Sequence, residues 1–374
     1  MPVPLLDLTR QYATVASDVE IRMQDVIRRQ AFILGDTVQR FEEAVADLVG
    51  VRHAIGVASG TDALLLPLKA LDLQPGEEVI APAFTFFATA GAIHNVGGRP
   101  VFVDIDPDTF NLSLDAVEAA ITPRTRAIVP VHVFGQMAEM AALQELADRH
   151  GLFLLEDGAQ ALGASQDREG SWIMAGAAGD AGAFSFFPSK NLGGFGDGGM
   201  ITTDDDVLAQ RLRRLRVHGG LKMYHHDEVG TNSRLDALQA AVLHAKLPHL
   251  SKWGEARASH AAWYDARFAS LKERGVVSTP GIRSNNRSVY NQYTLRVQER
   301  DALRTHLKAS GIGTGVYYPV PLHLQPCFAE LGYQAGDLPE TERAAGEVLS
   351  LPVFPELTHE ERSEVAREVE AFYA

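Results

Sequence analysis

The chain has 374 residues, long for one hydrophobic core and sufficient for two. With 46% hydrophobic and 22% charged residues it has the composition of a soluble globular protein. Its formal net charge of −14 excludes a broad nucleic-acid surface, which needs a basic stripe, and its single cysteine, Cys327, excludes an internal disulfide framework and a cysteine zinc site. Cys327 is read as a small apolar filler. No apolar stretch approaches the roughly 20 residues that cross a bilayer. Met1-Pro2-Val3-Pro4-Leu5-Leu6-Asp7 lacks the basic-then-apolar order of a signal peptide, so a cytoplasmic protein is expected.

Helical spacing of apolar residues predicts helices over about 17–30 and 36–49, with Gly50 as a stop. An alternation follows. Strands are expected at 54–58, 78–81, 100–104, 127–133 and 152–156, and helices at 61–71, 85–95, 114–120 and 137–150. Short buried strands between amphipathic helices predict an α/β layer with a mixed, mostly parallel sheet, whose ligands bind at the strand carboxyl ends. Further strands are expected at the Phe184 run and at Met200-Ile201-Thr202-Thr203, and a helix over 237–247. Beyond about residue 245 the pattern changes. A long helix over 246–268, strands at 290–297 and 313–318, and helices at 300–310 and 340–349 predict a smaller α+β unit. The expected division is 1–250 for the large domain and 251–374 for the small one.

Five segments carry chemistry. Ser59-Gly60-Thr61-Asp62 stands where a strand feeds a helix, a natural phosphate cradle or simply a helix cap. Phe84-Thr85-Phe86-Phe87 offers aromatic rings for core packing or for stacking on a flat ligand. Glu156-Asp157-Gly158-Ala159-Gln160 ends an apolar run in two acids, which is costly without a cationic partner. Lys190 follows the run Phe184-Ser185-Phe186-Phe187 and precedes a glycine-rich turn, a place where desolvation frees an amine to attack a carbonyl. Asn232-Ser233-Arg234 opens a helix. A lysine for a Schiff base and a carboxylate for a pyridinium nitrogen are what pyridoxal 5′-phosphate (PLP) asks of a protein. Gly194-x-Gly196-x-x-Gly199 matches a dinucleotide fingerprint only formally, because a strand rather than a helix is expected after it.

Together with Phe32-Ile33-Leu34-Gly35 and Leu351-Pro352-Val353-Phe354-Pro355, these segments resemble the DegT/DnrJ/EryC1/StrS sugar aminotransferases, a branch of the fold-type I PLP enzymes. The resemblance implies that Lys190 bonds the cofactor aldehyde, Asp157 pairs with the ring nitrogen and Gln160 touches the ring hydroxyl oxygen. It implies that Gly60, Thr61 and Ser185 hold the phosphate and that Phe86 stacks on the ring. Asn232 would reach the phosphate of a partner subunit, giving a homodimer with shared sites, and Arg234 would meet a carboxylate. The implied reaction passes an amino group from L-glutamate, by way of the pyridoxamine form (PMP), to a keto group of a nucleotide-linked sugar. Lysine at 190, where some related sugar dehydratases have histidine, favours transamination. His225 and His226 resemble the branch acting on 3-keto sugars, including UDP-2-acetamido-3-keto-glucuronate, over the 4-keto-6-deoxy branch. Tyr317, Tyr318 and His323 are expected in the same pocket, with Tyr317 standing where histidine is common in the uronate enzymes. His218, His225 and His226 are read as loop histidines rather than metal ligands.

Overall fold

The computed structural model describes residues 2–374. Met1, the first residue of the segment read for a leader, lies outside them. The chain opens with α1 (Leu8–Arg29), which begins earlier than the apolar spacing suggests because Asp7 caps it, accepting from the Thr9 and Arg10 N–H groups. There follow α2 (Gly35–Val49), β1 (His53–Val57), α3 (Gly60–Ala70), β2 (Glu78–Pro82), α4 (Phe87–Asn95), β3 (Arg99–Val103), α5 (Leu114–Ala120), β4 (Thr125–Ile128), α6 (Met140–His150) and β5 (Phe153–Asp157). A hairpin of β6 (Ser165–Arg168) and β7 (Ser171–Met174) precedes β8 (Ala181–Ser185), β9 (Gly199–Thr203), α7 (Asp206–Leu215) and α8 (Ala237–Lys246). The remainder comprises α9 (Leu250–Arg267), α10 (Ala269–Glu273), β10 (Val277–Ser278), β11 (Asn286–Arg287), β12 (Tyr293–Val297), α11 (Arg300–Ala309), α12 (Pro339–Glu347), β13 (Val348–Leu351) and α13 (His359–Phe372).

Seven strands form the main sheet in the order β1-β9-β8-β5-β4-β2-β3. All run parallel except β9, which opposes both β1 and β8. Both faces are covered, as a parallel sheet requires. Strand alternation sends Ala54, Ile80, Leu154 and Met200 into a core under α2, α6 and α8, and sends Ile55, Val79, Leu155 and Ile201 into one under α3 and α7. A further apolar core gathers Tyr264, Phe268, Tyr293, Leu295, Phe354 and Val365 beside the sheet β10-β12-β13, and Val3 joins it through a bridge to Ile312.

Three expectations are corrected. The helix expected over 246–268, with Pro248 near its start, begins instead at Leu250, after a tight turn at Leu247–His249 in which Pro248 supplies no N–H. Residues 313–318 form no strand; Gly315 makes only an isolated bridge to Ser350, which belongs to β13 where a helix end was expected. Cys327 is exposed rather than buried filler. Among the described residues no helix is long and apolar enough to cross a membrane.

Candidate active site

Because β1, β2, β4, β5 and β8 point the same way, their carboxyl ends open on one edge of the sheet. Most of the residues singled out in the sequence lie there. The turn from β1 into α3 is built around Ser59, whose Oγ accepts from Asp62 N at 3.1 Å. Gly60 abuts the end of β8: a Cβ there would lie 2.5 Å from Ser185 Cβ, so only glycine fits. Thr61 stands exposed on the first turn of α3, next in sequence to Gly60, and Ser185 Oγ accepts from Phe187 N at 3.3 Å. Free helix N–H groups flanked by hydroxyls make an anion cradle.

The two acids ending β5 have opposite surroundings. Glu156 Oε2 accepts from His132 Nε2 (2.8 Å) and Gly176 N (2.9 Å), and Oε1 accepts from Ala178 and Gly179 N (both 2.8 Å). His132 Nδ1 takes the Ala138 N–H at 3.2 Å, which leaves Nε2 as the donor to Glu156. Burial pushes the Glu156 carboxyl up, but the His132 and backbone donors outweigh it and hold it below the ordinary range. Asp157 is buried as well, yet it has only Thr89 Oγ1 (2.7 Å) on Oδ2 and Ala159 N (3.2 Å) on Oδ1. Burial dominates and raises its carboxyl above the ordinary range, against the opposing pull of Thr89, Ala159, Lys190 and His132. Among the described residues no cation comes within ion-pair distance of Asp157. A buried, under-partnered carboxylate is what a pyridinium N–H would satisfy.

Lys190 lies in the loop after β8. Burial lowers its ammonium, against the attraction of Asp157. Among the described residues its Nζ has no hydrogen-bond partner. Gln160 is oriented without ambiguity: its Oε1 accepts from Phe134 N at 2.7 Å, so its amide N–H groups must point the other way, where one reaches Tyr318 Oη at 2.9 Å. Phe84 is core, packed against Phe110 and Phe134, and Phe87 stacks on Phe328. Phe86 instead is 59% exposed, its ring centroid 6.2 Å from that of Tyr318. Tyr317 is half-buried and folds its ring over Gly315.

The loop before α8 joins this edge through a residue the sequence reading passed over. Ser233 Oγ donates to Asp62 Oδ2 (2.8 Å) and accepts from Ala58 N (3.2 Å), tying the loop to the turn of α3. Asn232 faces solvent, and Arg234 has no ion-pair or hydrogen-bond partner among the described residues. His225 and His226 are exposed, and their hydrogen bonds stay within their own loop, His226 Nδ1 to His218 O at 3.0 Å. His323 is a correction. Its side chain is fully buried, with Nε2 on Glu342 Oε1 at 3.0 Å, so it does not line an accessible pocket. Thr89 and His132 were also missed; a threonine on an apolar helix and a histidine after a strand carry no local signal. A cavity of about 1160 Å³ lies elsewhere, between Asp108, Thr279, Arg296 and Arg343, and is lined by none of the expected residues. Among the described residues no three His, Cys, Asp or Glu side chains are placed to hold a metal.

A mostly parallel seven-stranded sheet that gathers a desolvated lysine, a buried aspartate and a glycine-opened helix at its strand ends is the architecture of the fold-type I PLP enzymes. The chain belongs to the DegT/DnrJ/EryC1/StrS aminotransferase family, which matches residues 15–370, and its cofactor is accordingly PLP. It is 49% identical over 373 residues to a pleiotropic regulatory protein of Geobacillus stearothermophilus, covering 100% of this chain and 99% of that one. It is 45% identical over 365 residues to the UDP-N-acetyl-3-dehydro-α-D-glucosamine 3-aminotransferase of Acidithiobacillus ferrooxidans, covering 97% and 96%. The solved structure of NtdA from Bacillus subtilis, with bound cofactor PMP, superposes with a TM-score of 0.91 at 33% identity, covering 99% of this chain and 85% of that one.

Proposed function

We propose that this protein transfers the amino group of L-glutamate to the C3 keto group of a nucleotide-linked sugar. The observation that carries the reading is the pair Lys190 and Asp157, both desolvated and both short of partners, at the carboxyl edge of the sheet. When bound, PLP supplies an electron sink for the carbon that loses or gains the amino group. Asp157 holds the proton on the ring nitrogen. Lys190 would hold the cofactor and would be the base that moves the proton at the substrate carbon. Gln160 would donate an N–H to the ring oxygen, Phe86 would lie against the ring, and Gly60, Thr61 and Ser185 would hold the phosphate. Arg234 offers its free guanidinium to a carboxylate, that of glutamate included.

The 3-keto assignment is supported by the A. ferrooxidans relative, which acts on a 3-dehydro sugar. A homodimer is the functional unit in this reading. Its support is the exposed loop with Leu221, Met223 and Tyr224 at its tip, running into the solvent-facing Asn232. The reading treats residues 1–250 and 251–374 as cofactor-binding and smaller domains, a division that the two main cores follow except at Val289, which packs in the first, and Val3, which packs in the second, and places the enzyme in the cytoplasm, where glutamate and nucleotide sugars are found.

The test is reverse transamination followed by mass spectrometry. The PLP form is incubated with UDP- and dTDP-linked 3-amino and 4-amino sugars plus 2-oxoglutarate. Loss of the amine from 3-amino sugars is expected. Loss from 4-amino sugars alone would move the reaction to C4, and inertness toward all of them, with no spectral change on adding glutamate, would overturn the reading.

A further inference from the structure

The loop that carries Lys190 runs from Phe186 to Gly194 and is closed at its base by Gly194 N donating to Phe186 O at 2.8 Å. Gly193 fits in that base only without a side chain, since a Cβ would lie 2.1 Å from Pro188 O. Two side chains of α8 grip it from behind. Lys246 Nζ donates to Gly193 O at 2.7 Å, with its charge 5.1 Å from the centroid of the Phe195 ring. Gln239 Oε1 accepts from Phe195 N at 2.8 Å. The same helix starts at the loop whose Ser233 binds the turn of α3. One rigid element thus registers the lysine loop against the expected phosphate turn.

Lys246 is only 3% exposed, and among the described residues no carboxylate pairs with it. Burial lowers its ammonium to about 8. A buried, unpaired ammonium destabilises a fold, and an apolar residue of similar length would fill the same space at less cost. Its one strong polar contact is to the backbone of the lysine loop.

We propose that Lys246, assisted by Gln239, is a positioning residue that holds the Lys190 loop where its amine reaches the cofactor. The proposal rests on the role given to Lys190 above and extends it to the element behind it.

PMP has no aldehyde for a lysine to bond, so the ratio of PLP to PMP affinity reports on Lys190 apart from the rest of the site. Lys190→Ala is the reference and is expected to weaken PLP while leaving PMP alone. Lys246→Met and Gln239→Leu should each weaken PLP about tenfold, the scale of one lost hydrogen bond to a charged or well-fixed group, with PMP within about twofold of wild type. The melting temperature of the cofactor-free Lys246→Met protein should hold or rise. Lys252→Met, at an exposed lysine of α9, should change none of these. A wild-type ratio in both α8 variants, beside a changed ratio in Lys190→Ala, overturns the positioning role and leaves that of Lys190 standing. Parallel loss of both affinities with a falling melting temperature, or failure of Lys246→Met to fold, makes Lys246 structural and also overturns it. An unchanged ratio in Lys190→Ala removes the role of Lys190 and this proposal with it.

Discussion

Two parts of the same site edge are finished to different degrees. At the end of β5 charge is buried, and both oxygens of Glu156 have two donors each. In the loop from His218 to Arg234 most side chains face solvent, and among the described residues Arg234 has no ion-pair or hydrogen-bond partner. The first region is completed by the chain itself. The second is open to solvent, and the proposed function gives it to substrate and a second subunit. Asp157 stands between them: it is buried like Glu156 but has two hydrogen-bond donors where Glu156 has four. Burial without a partner raises free energy, so the place where the chain tolerates it is where a ligand belongs.

The sharpest way to break this contrast is at Asp157. Asp157→Asn should lower the rate of the glutamate half-reaction about a thousandfold, roughly 4 kcal/mol, because an amide cannot keep the ring nitrogen protonated. The pH dependence has a definite sign. The folded pKa of Asp157 is raised, so in the cofactor-free protein its contribution to stability is present at low pH and is lost as pH rises through that raised value. A cationic ring partner offsets the loss. The gain in melting temperature on adding PLP should therefore grow with pH across this range in wild type and stay flat in Asp157→Asn. A flat wild-type profile would detach Asp157 from the cofactor.

Glu156 should behave in the opposite way. Its folded pKa is lowered, so its contribution is present above the ordinary carboxylate range and is lost as pH falls through the lower folded value. Glu156→Gln leaves His132 and three backbone N–H groups without their charge and should cost about 3 kcal/mol in urea unfolding. A cost under about 1 kcal/mol would show that the pair is not tightly built. The smallest effect is expected at the open loop. Tyr224, 90% exposed, has little to lose within its own chain. Tyr224→Ser should shift the unfolding free energy of the chain by under about 0.5 kcal/mol while weakening subunit association in sedimentation over a concentration series. Unchanged association would place this loop outside the subunit contact.

The alternation of strands and helices through residue 157 was legible because each element carries its own period and stop. Elements past residue 245 were harder. The second of two expected helices began four residues late, after the turn at Pro248, and Val348–Leu351 became a strand because the partner strand β12 was available to it. Lys190, Asp157, Gly60 and Ser185, which the proposed function places on the cofactor, stood out because strand ends and glycine turns are local signals. His323 misled, since a histidine beside two tyrosines looks the same in sequence whether it faces a cleft or Glu342.

Residue order alone therefore determined the α/β layering, the strand ends and the identities of the lysine and the acids. Tertiary structure decided which acid is satisfied and which is waiting. That distinction depends on His132, 24 residues from Glu156, and on Thr89, 68 residues from Asp157. Pairings at that range are set by how helices and strands pack against one another. No local period encodes that packing, so the charge state of the site emerges only once the sheet is assembled.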